Sequence, residues 1–336
     1  MSTPDPAAAA LAGRRVLVTG AGGFIGSHLT RTLLAAGAEV YAMSASVSSM
    51  LPVRLADVAA DIHIVEANVA DRSAMDAMAR TVHPEFVAHL AAFTHVGKSF
   101  RRVDENVTTN VHGTVNLLLA LNGEYERFVY TGTSEIYGDI PTPFREDAQV
   151  NPVSPYSVSK YAGERYARMF QQAYDWPIVC LRPFNAYGPW QTPDRIIPEI
   201  ILTALRRDRL RTTEGQQTRE FNYVTDLAEG FVAALVAPGV EGQVVNLGCG
   251  KDIAIRDLTR KVLDLMGNPI EPEIGVLAQR PTEIWSMFCD NTRARELLGW
   301  SPRHSLEDGL ARTIDWYREN WEAGNPFLRR AESKPD

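Results

Sequence analysis

The sequence predicts an α/β fold, a doubly wound parallel sheet with a smaller mixed C-terminal lobe. Three observations predict it. Short apolar runs, of the kind buried on both faces in parallel sheets, recur near 15–19, 38–43, 62–66, 86–90, 127–131 and 178–182. Helical stretches near 24–36, 71–82, 98–121 and 156–174 alternate with them. The first run opens into a glycine triplet that starts a helix, the context a Rossmann-type dinucleotide site requires.

Taken in order, the first strand ends at Thr19, and Gly20, Gly23 and Gly26 follow at three-residue spacing. Glycine permits the tight turn, brings backbone close to a pyrophosphate and lets helix pack on strand. Phe24 and Ile25 then open a helix whose N-terminus faces the phosphates. The second strand runs into Met43-Ser44-Ala45-Ser46, without the acidic residue that often holds a ribose. No arginine adjoins it to grip a 2′-phosphate, Arg54 being the nearest. Ser44 and Ser46 can hydrogen-bond either the ribose of NAD or the 2′-phosphate of NADP, and the missing arginine weakens NADP more than a serine in place of an acid weakens NAD. NAD is the expected cofactor. Leu90, Ala91 and Ala92 follow the fourth strand, where small residues let backbone approach a cofactor.

The fifth strand runs into T-G-T-S-E-I-Y-G and places Thr133, Ser134 and Glu135 at its end. Beyond a Pro-rich loop, Tyr156 and Lys160 stand four residues apart, one turn along a helix. An ammonium beside a phenol favours the phenolate, which can take a proton from a sugar hydroxyl while hydride leaves the same carbon. Glu135 can serve as a second base. From Pro183 the regular alternation stops. Residues 183–220 carry prolines and a helix to about Arg207, 221–237 return to the nucleotide-binding part, a strand lies near 244–247, and 251–326 read as short helices and Pro-rich loops.

Composition excludes several classes. The 336 residues are 45 % hydrophobic, enough for a substantial core, and carry a net charge of −7, which argues against nucleic acid as partner. The basic cluster Arg206, Arg207, Arg209 and Arg211 is short and interrupted by Asp208, as at a solvated helix end. Cys180, Cys249 and Cys289 are far apart and odd in number, so neither a metal site nor a disulfide framework is expected, and a cytoplasmic location fits. Residues 1–12 read as a flexible tail, as do 327–336, and no apolar run reaches membrane-spanning length.

Together these pieces resemble the extended short-chain dehydrogenase/reductase family, in the branch that modifies nucleotide-activated sugars. The resemblance runs from about Arg14 to Trp316. Its landmarks are G-A-G-G-F-I-G, H-L-A-A (89–92), T-N-V-H-G-T-V-N-L-L (109–118), T-S-E-I-Y-G (133–138), Y-S-V-S-K (156–160), R-P-F-N-A-Y-G-P (182–189) and R-E-F-N-Y-V-T-D (219–226). It implies a nucleotide-binding domain from 13–182 plus 221–248, and a sugar-nucleotide lobe from 183–220 plus 249–326. It implies that Asn68, in place of the usual Asp, and Val69 meet the adenine edge. Tyr156 becomes the base for the sugar 4-hydroxyl, Thr133 its hydrogen-bond partner, and Lys160 the ligand of the nicotinamide ribose. Asn185 contacts the sugar nucleotide, Arg219 and Arg280 neutralise the diphosphate, and His95 and Ser99 line the sugar pocket. His28, in the first helix, reads as structural. The T-S-E triplet is similar to sugar-nucleotide 4,6-dehydratases, in which Ser134 and Glu135 serve proton transfer at carbons 5 and 6. The same frame also runs 4-epimerases and UDP-glucuronate decarboxylases. A homodimer is implied, built from the helices near 98–121 and 156–174, which carry Val115, Leu118, Leu119, Tyr161, Met169 and Phe170.

Overall fold

The computed structural model describes residues 6–46, 51–279 and 283–329. Helix α1 (Pro6–Leu11) precedes β1 (Arg15–Thr19), α2 (Phe24–Ala35), β2 (Glu39–Ser44), α3 (Leu51–Arg54), β3 (His63–Glu66), α4 (Arg72–Val82) and β4 (Phe86–His89). Short helices α5 (Val96–Ser99) and α6 (Val103–Asn106), a π turn at Val107–His112 and α7 (Gly113–Leu121) lead into β5 (Arg127–Thr131). Then come α8 (Pro155–Tyr174), β6 (Ile178–Pro183), β7 (Asn185–Tyr187), α9 (Ile196–Arg206), β8 (Thr218–Tyr223), α10 (Val224–Val236) and β9 (Val244–Leu247). The chain closes with β10 (Asp252–Ala254), α11 (Ile255–Leu265), β11 (Ser286–Met287), α12 (Thr292–Leu298), α13 (Leu306–Glu322) and α14 (Pro326–Arg329).

Seven strands form one sheet in the order β3-β2-β1-β4-β5-β6-β9. Every pairing in it is parallel. Strand residues alternate between its two faces. Val16, Val18, Val129, Val179 and Leu181 pack with Leu29 and Leu33 of α2 and Leu227 and Phe231 of α10. Leu17, Val87, Phe128, Tyr130 and Cys180 pack on the other face with Met75 of α4, Leu117 of α7 and Ala167 of α8. The edge strand β3 is mostly exposed, whereas both faces are covered over β1, β4, β5, β6 and β9, which are nearly all buried. Each such aliphatic side chain contributes about 1.5–3 kcal/mol by burial. The register aligns the carboxyl ends: Thr19 pairs with His89, His89 with Tyr130, and Thr131 with Leu181. Strand order reverses at β1/β4, the crevice where such sheets bind ligands.

A smaller mixed sheet centres on β8. It pairs antiparallel with β10 and parallel with β11 and β7. Its core joins Ile197, Ile200 and Ile201 of α9, Leu258 and Val262 of α11, and Leu310 and Ile314 of α13.

The structure departs from the sequence expectations at several places. Pro6–Leu11 are helical, and Leu11 is fully buried in the core with Leu33 and Phe231. Phe327 and Leu328 likewise join the core beside α13. Neither end is therefore a free tail from its first to its last expected residue. The helix expected over 98–121 is broken into α5, α6, a π turn and α7. Within the π turn, Asn110 turns inward: its side chain accepts from Phe93 N at 2.7 Å and donates to Ser159 Oγ at 2.9 Å. A widened turn of this kind is frequent at functional sites. Region 251–326 holds two strands and the 17-residue α13, not only short helices.

Candidate active site

The glycine loop is a cradle closed by backbone. Gly20 has φ +71°, and a Cβ there would lie 2.8 Å from Ala91 N. A Cβ on Gly23 or Gly26 would meet Gly20 O at 2.9 or 2.3 Å. Only glycine leaves this turn open to a phosphate group, so the chain fits a dinucleotide at the position the sequence assigns. Phe24 and Ile25, half-buried, begin α2 with free helix N–H groups in the first turn. Ser44 ends β2, its hydroxyl 3.3 Å from Ser46 O. Asn68 is exposed at the end of β3, with Oδ1 accepting from Ala70 N. Val69 is buried, and a Cβ on Gly113 would press to 2.6 Å from its Cγ2. Leu90, Ala91 and Ala92 are half-buried beside Gly20.

Arg54 is withdrawn from any 2′-phosphate. It is 3 % exposed and donates to Gly22 O at 2.9 Å and Trp190 O at 3.0 Å, with its guanidinium over the Phe327 ring. The arginine that follows the second strand in sequence is thus held between the glycine loop and the 188–191 segment. This favours NAD over NADP.

His89, which the sequence reading passed over, fixes the loop from below. Thr114 Oγ1 donates to Asn110 O, so it accepts from His89 Nε2–H at 3.0 Å. The other ring nitrogen, Nδ1, is then an acceptor from the Thr19 hydroxyl at 2.8 Å. Thr19 Oγ1 in turn accepts from Ala91 N at 3.1 Å. One directed chain therefore runs from Ala91 on the cofactor side to Asn110 in the π turn. Burial, reinforced by the charge of Lys160, pushes His89 down to about 3 and keeps it neutral.

The reacting groups converge at the end of β5. Thr133 is extended and caps the 3₁₀ turn Ser134–Ile136, its Oγ1 accepting from Glu135 N at 3.3 Å, and it lies near enough to Tyr156 to oppose the rise of the phenol. Glu135 is half-buried between buried Ser134 and Ile136, and its charge acts on Tyr156. Ser154 caps α8 in a reciprocal box with Ser157, fixing the turn that carries Tyr156. Burial raises the Tyr156 phenol, Glu135 adds to this, and Thr133 and Arg195 oppose it. Lys160 Nζ lies over the Tyr130 ring, 4.8 Å from its centroid. Lys160 itself is pushed down to about 7 by burial, against the pull of Glu164.

The remaining candidates divide. Ser134 donates to Met287 Sδ at 3.5 Å, and Asn185 Nδ2 lies 3.9 Å from the same sulfur while donating to Glu220 O. Met287 thus ties the two together, a contact no local sequence pattern encodes. Arg219 is clasped by Glu283 at 2.5 Å and by Ile284 O at 2.6 Å. His95 caps α5, with Nε2 3.6 Å from Asp194. Ser99 is fully buried and its hydroxyl is bound to Val96 O, so it does not face an open pocket. Arg280 lies outside the described residues. His28 is buried and donates from Nε2 to Pro189 O, a structural link. Among the described residues no cluster suits a metal ion, and no helix is long and apolar enough to cross a membrane.

A nucleotide-binding sheet with a Tyr/Lys pair and a carboxylate at its carboxyl edge is the frame of a dinucleotide-dependent enzyme. The chain belongs to the NAD dependent epimerase/dehydratase family, whose model matches residues 16–248. It is 35 % identical to UDP-glucose 4-epimerase of Mycolicibacterium smegmatis over 90 % of this chain and 98 % of that one. It is 30 % identical to the trifunctional UDP-glucose 4,6-dehydratase/UDP-4-keto-6-deoxy-D-glucose 3,5-epimerase/UDP-4-keto-L-rhamnose-reductase RHM1 of Arabidopsis thaliana, over 92 % of this chain and only 48 % of that longer protein. The solved dTDP-glucose 4,6-dehydratase DesIV of Streptomyces venezuelae, with NAD and TYD bound, superposes with TM-score 0.85 at 30 % identity, covering 93 % of this chain and 99 % of that one.

Proposed function

We propose that this chain is a nucleotide-sugar 4,6-dehydratase that converts a nucleoside-diphosphate hexose to its 4-keto-6-deoxy form. The observation that carries the reading is Glu135, a half-buried carboxylate whose charge acts on Tyr156. When bound, the nicotinamide supplies the acceptor for hydride from sugar carbon 4 and later returns it to carbon 6. Tyr156 takes the proton of the 4-hydroxyl, and Thr133 holds both hydroxyls in line. Lys160 holds the nicotinamide ribose. The ketone at carbon 4 acidifies the proton on carbon 5, which Glu135 removes. Glu135 then gives that proton to the hydroxyl departing from carbon 6, because Ser134 is bound to sulfur; as hydride returns to carbon 6, Glu135 delivers a solvent proton to carbon 5, and Tyr156 releases its own proton to solvent. Asn185 and Arg219 hold the sugar nucleotide, and Arg219 exchanges Glu283 for the diphosphate. Arg280 serves the same diphosphate, and His95 the sugar pocket. The division into a nucleotide part and a sugar-nucleotide part belongs to this reading.

A second reading, a 4-epimerase, draws on the same serine. With Ser134 turned to Met287, the site lacks the extra acid that some dehydratases place there, and an epimerase needs none. Incubation with dTDP-glucose, UDP-glucose, UDP-N-acetylglucosamine, GDP-mannose and UDP-glucuronate, followed by mass spectrometry and NMR, decides. Loss of water supports the dehydratase. An isobaric product inverted at carbon 4, or loss of carbon dioxide, overturns it.

We further infer a homodimer. Leu118 and Phe170 face the core, whereas Val107, Leu119, Val158, Tyr166 and Met169 are exposed on the π turn, α7 and α8. An exposed apolar face on adjacent helices suits a two-fold helix pairing.

A further inference from the structure

Beneath the reacting groups lies a buried cluster of three charges. Lys160, Glu164 and Arg182 are 3 %, 0 % and 2 % exposed. Lys160 and Glu164 stand one turn apart on α8. Arg182 of β6 clasps Glu164 with two hydrogen bonds, Nε to Oε2 at 3.0 Å and Nη2 to Oε1 at 2.6 Å. The clasp is braced: Arg182 Nη1 donates to the Tyr137 hydroxyl at 2.7 Å, and that hydroxyl donates to Asn246 Oδ1 at 2.7 Å. It also seats the catalytic strand end. A Cβ on Gly132, the residue before Thr133, would lie 3.2 Å from Glu164 Oε2 and 3.3 Å from Arg182 Cγ.

The other titratable groups packed around Lys160 and Glu164 are Tyr156 and Arg168 on α8, Tyr130 on β5, His89 on β4 and Cys180 on β6. Burial raises Tyr130 and Cys180 and lowers His89, so all three are neutral at pH 7. Arg168 approaches Glu164 only to 3.9 Å, from a partly exposed position. The interior therefore holds two cations and one anion. A buried charge without a partner loses its ionised form. Take away Glu164 and two cations remain, of which only Lys160 can give up its proton. As a device for stability alone the clasp has little value, since a buried ion pair is often matched by an apolar pair of similar volume.

We propose that Glu164 is a positioning residue that acts through Lys160, keeping it an ammonium and so setting the pH range in which Tyr156 works as a base. This rests on Tyr156 and Lys160 being the reacting pair. Glu164 is also the carboxylate that opposes the effect of burial on Lys160.

The test is a pH titration of the NAD-loaded protein with two readouts. One is kcat/KM on whichever of dTDP-glucose, UDP-glucose, UDP-N-acetylglucosamine, GDP-mannose and UDP-glucuronate is turned over. The other is the ultraviolet phenolate band of Tyr156, taken as the difference between each protein and its Tyr156→Phe counterpart. Glu164→Gln removes the carboxylate that keeps Lys160 charged. The alkaline limb of the kcat/KM profile is expected to move to lower pH by about one unit, with a lower plateau, and the phenolate midpoint to move to higher pH, because a neutral amine no longer favours the phenolate. Glu164→Asp keeps the charge and the wild-type profile. If Glu164→Gln does not fold, the double variant Glu164→Gln/Arg182→Met leaves no unpaired charge from the clasp. It is expected to shift each readout in the same direction as Glu164→Gln by less, because Lys160 feels Glu164 and not Arg182 as its main charged neighbour. A merely structural Glu164 would lower stability or kcat and leave both midpoints in place, which overturns the proposal. So does a Glu164→Asp profile that moves like that of Glu164→Gln. Full turnover in Tyr156→Phe would instead overturn the reading of the reacting pair.

Discussion

Tyr156 and Glu135 divide the proposed chemistry between an oxygen and a carbon, and one substitution separates the two. Glu135→Gln keeps size but cannot take the carbon 5 proton. The first hydride transfer needs Tyr156, so the variant is expected to oxidise carbon 4 and accumulate reduced nicotinamide. It should fail to release a 4-keto-6-deoxy product or to exchange the carbon 5 proton with deuterated solvent. Unimpaired turnover with no deuterium in the product would remove the dehydratase reading and leave the epimerase. At this scale the sequence was informative where chemistry depends on spacing along the chain. The Y-x-x-x-K pair, the glycine triplet and the T-S-E triplet are all local patterns. It was silent where function depends on strand register. His89 meets Thr19 only because β1 and β4 are neighbours, and Arg182 meets Glu164 only because β6 runs beneath α8. Ser99 went the other way: the family resemblance implied a place in the pocket, and a local bond to Val96 O holds it in the interior.

Among elements, α8 carries the most function and its start is the most tightly specified. Ser154 Oγ accepts from Ser157 N at 3.1 Å, and Ser157 Oγ accepts from Ser154 N at 3.0 Å, with Pro155 at the first helical position. Ser154→Ala is expected to cost about 1 kcal/mol of stability. Because Tyr156 lies in the first turn, kcat should fall more than the loss of folded protein explains. A variant with lower denaturation midpoint but unchanged kcat would show that the cap does not orient Tyr156. The six strands of the nucleotide half were legible to within a residue or so; for β1, β4, β5 and β6 the reason is burial on both faces, which leaves an apolar run, whereas edge strand β3 is mostly exposed and follows only from the strand–helix alternation. β7, β10 and β11 were not legible: each has only two or three residues. Such strands are defined by pairing with β8, not by their own composition. The π turn was equally hidden, since its helical periodicity continues through the widened turn.

For the whole molecule, two buried histidines give a direction to the pH dependence of stability. Burial lowers His28 to about 4 and His89 to about 3. Both stay neutral when folded, while in the unfolded chain each takes a proton near pH 6.5. Their contribution is complete above about pH 6.5 and is lost as pH falls towards the folded values, at about 1.4 kcal/mol per pH unit per group. Urea midpoints should therefore fall between pH 7 and pH 5, and less steeply in His28→Gln, which cannot charge. An identical pH slope in that variant would exclude His28 as a source. Association also belongs to this scale. Light scattering at micromolar concentration is expected to give the mass of a dimer, and Met169→Glu, placing a charge in the exposed apolar face, should shift it towards the monomer. A monomeric wild type would count against the pairing.

The position of β9 has a consequence for how the chain is made. β6 is complete at Pro183, yet its outer neighbour is Val244–Leu247, some sixty residues later, with β7, α9, β8 and α10 between them. During synthesis from the N-terminus, the growing sheet therefore presents β6 as an unpaired edge until β9 has emerged. An open, apolar edge strand is a template for pairing with another chain. A chain truncated after Pro183 is expected to aggregate, and one truncated after Gly250, which restores β9, to do so less, even though the latter still exposes β8 without its partners β10 and β11.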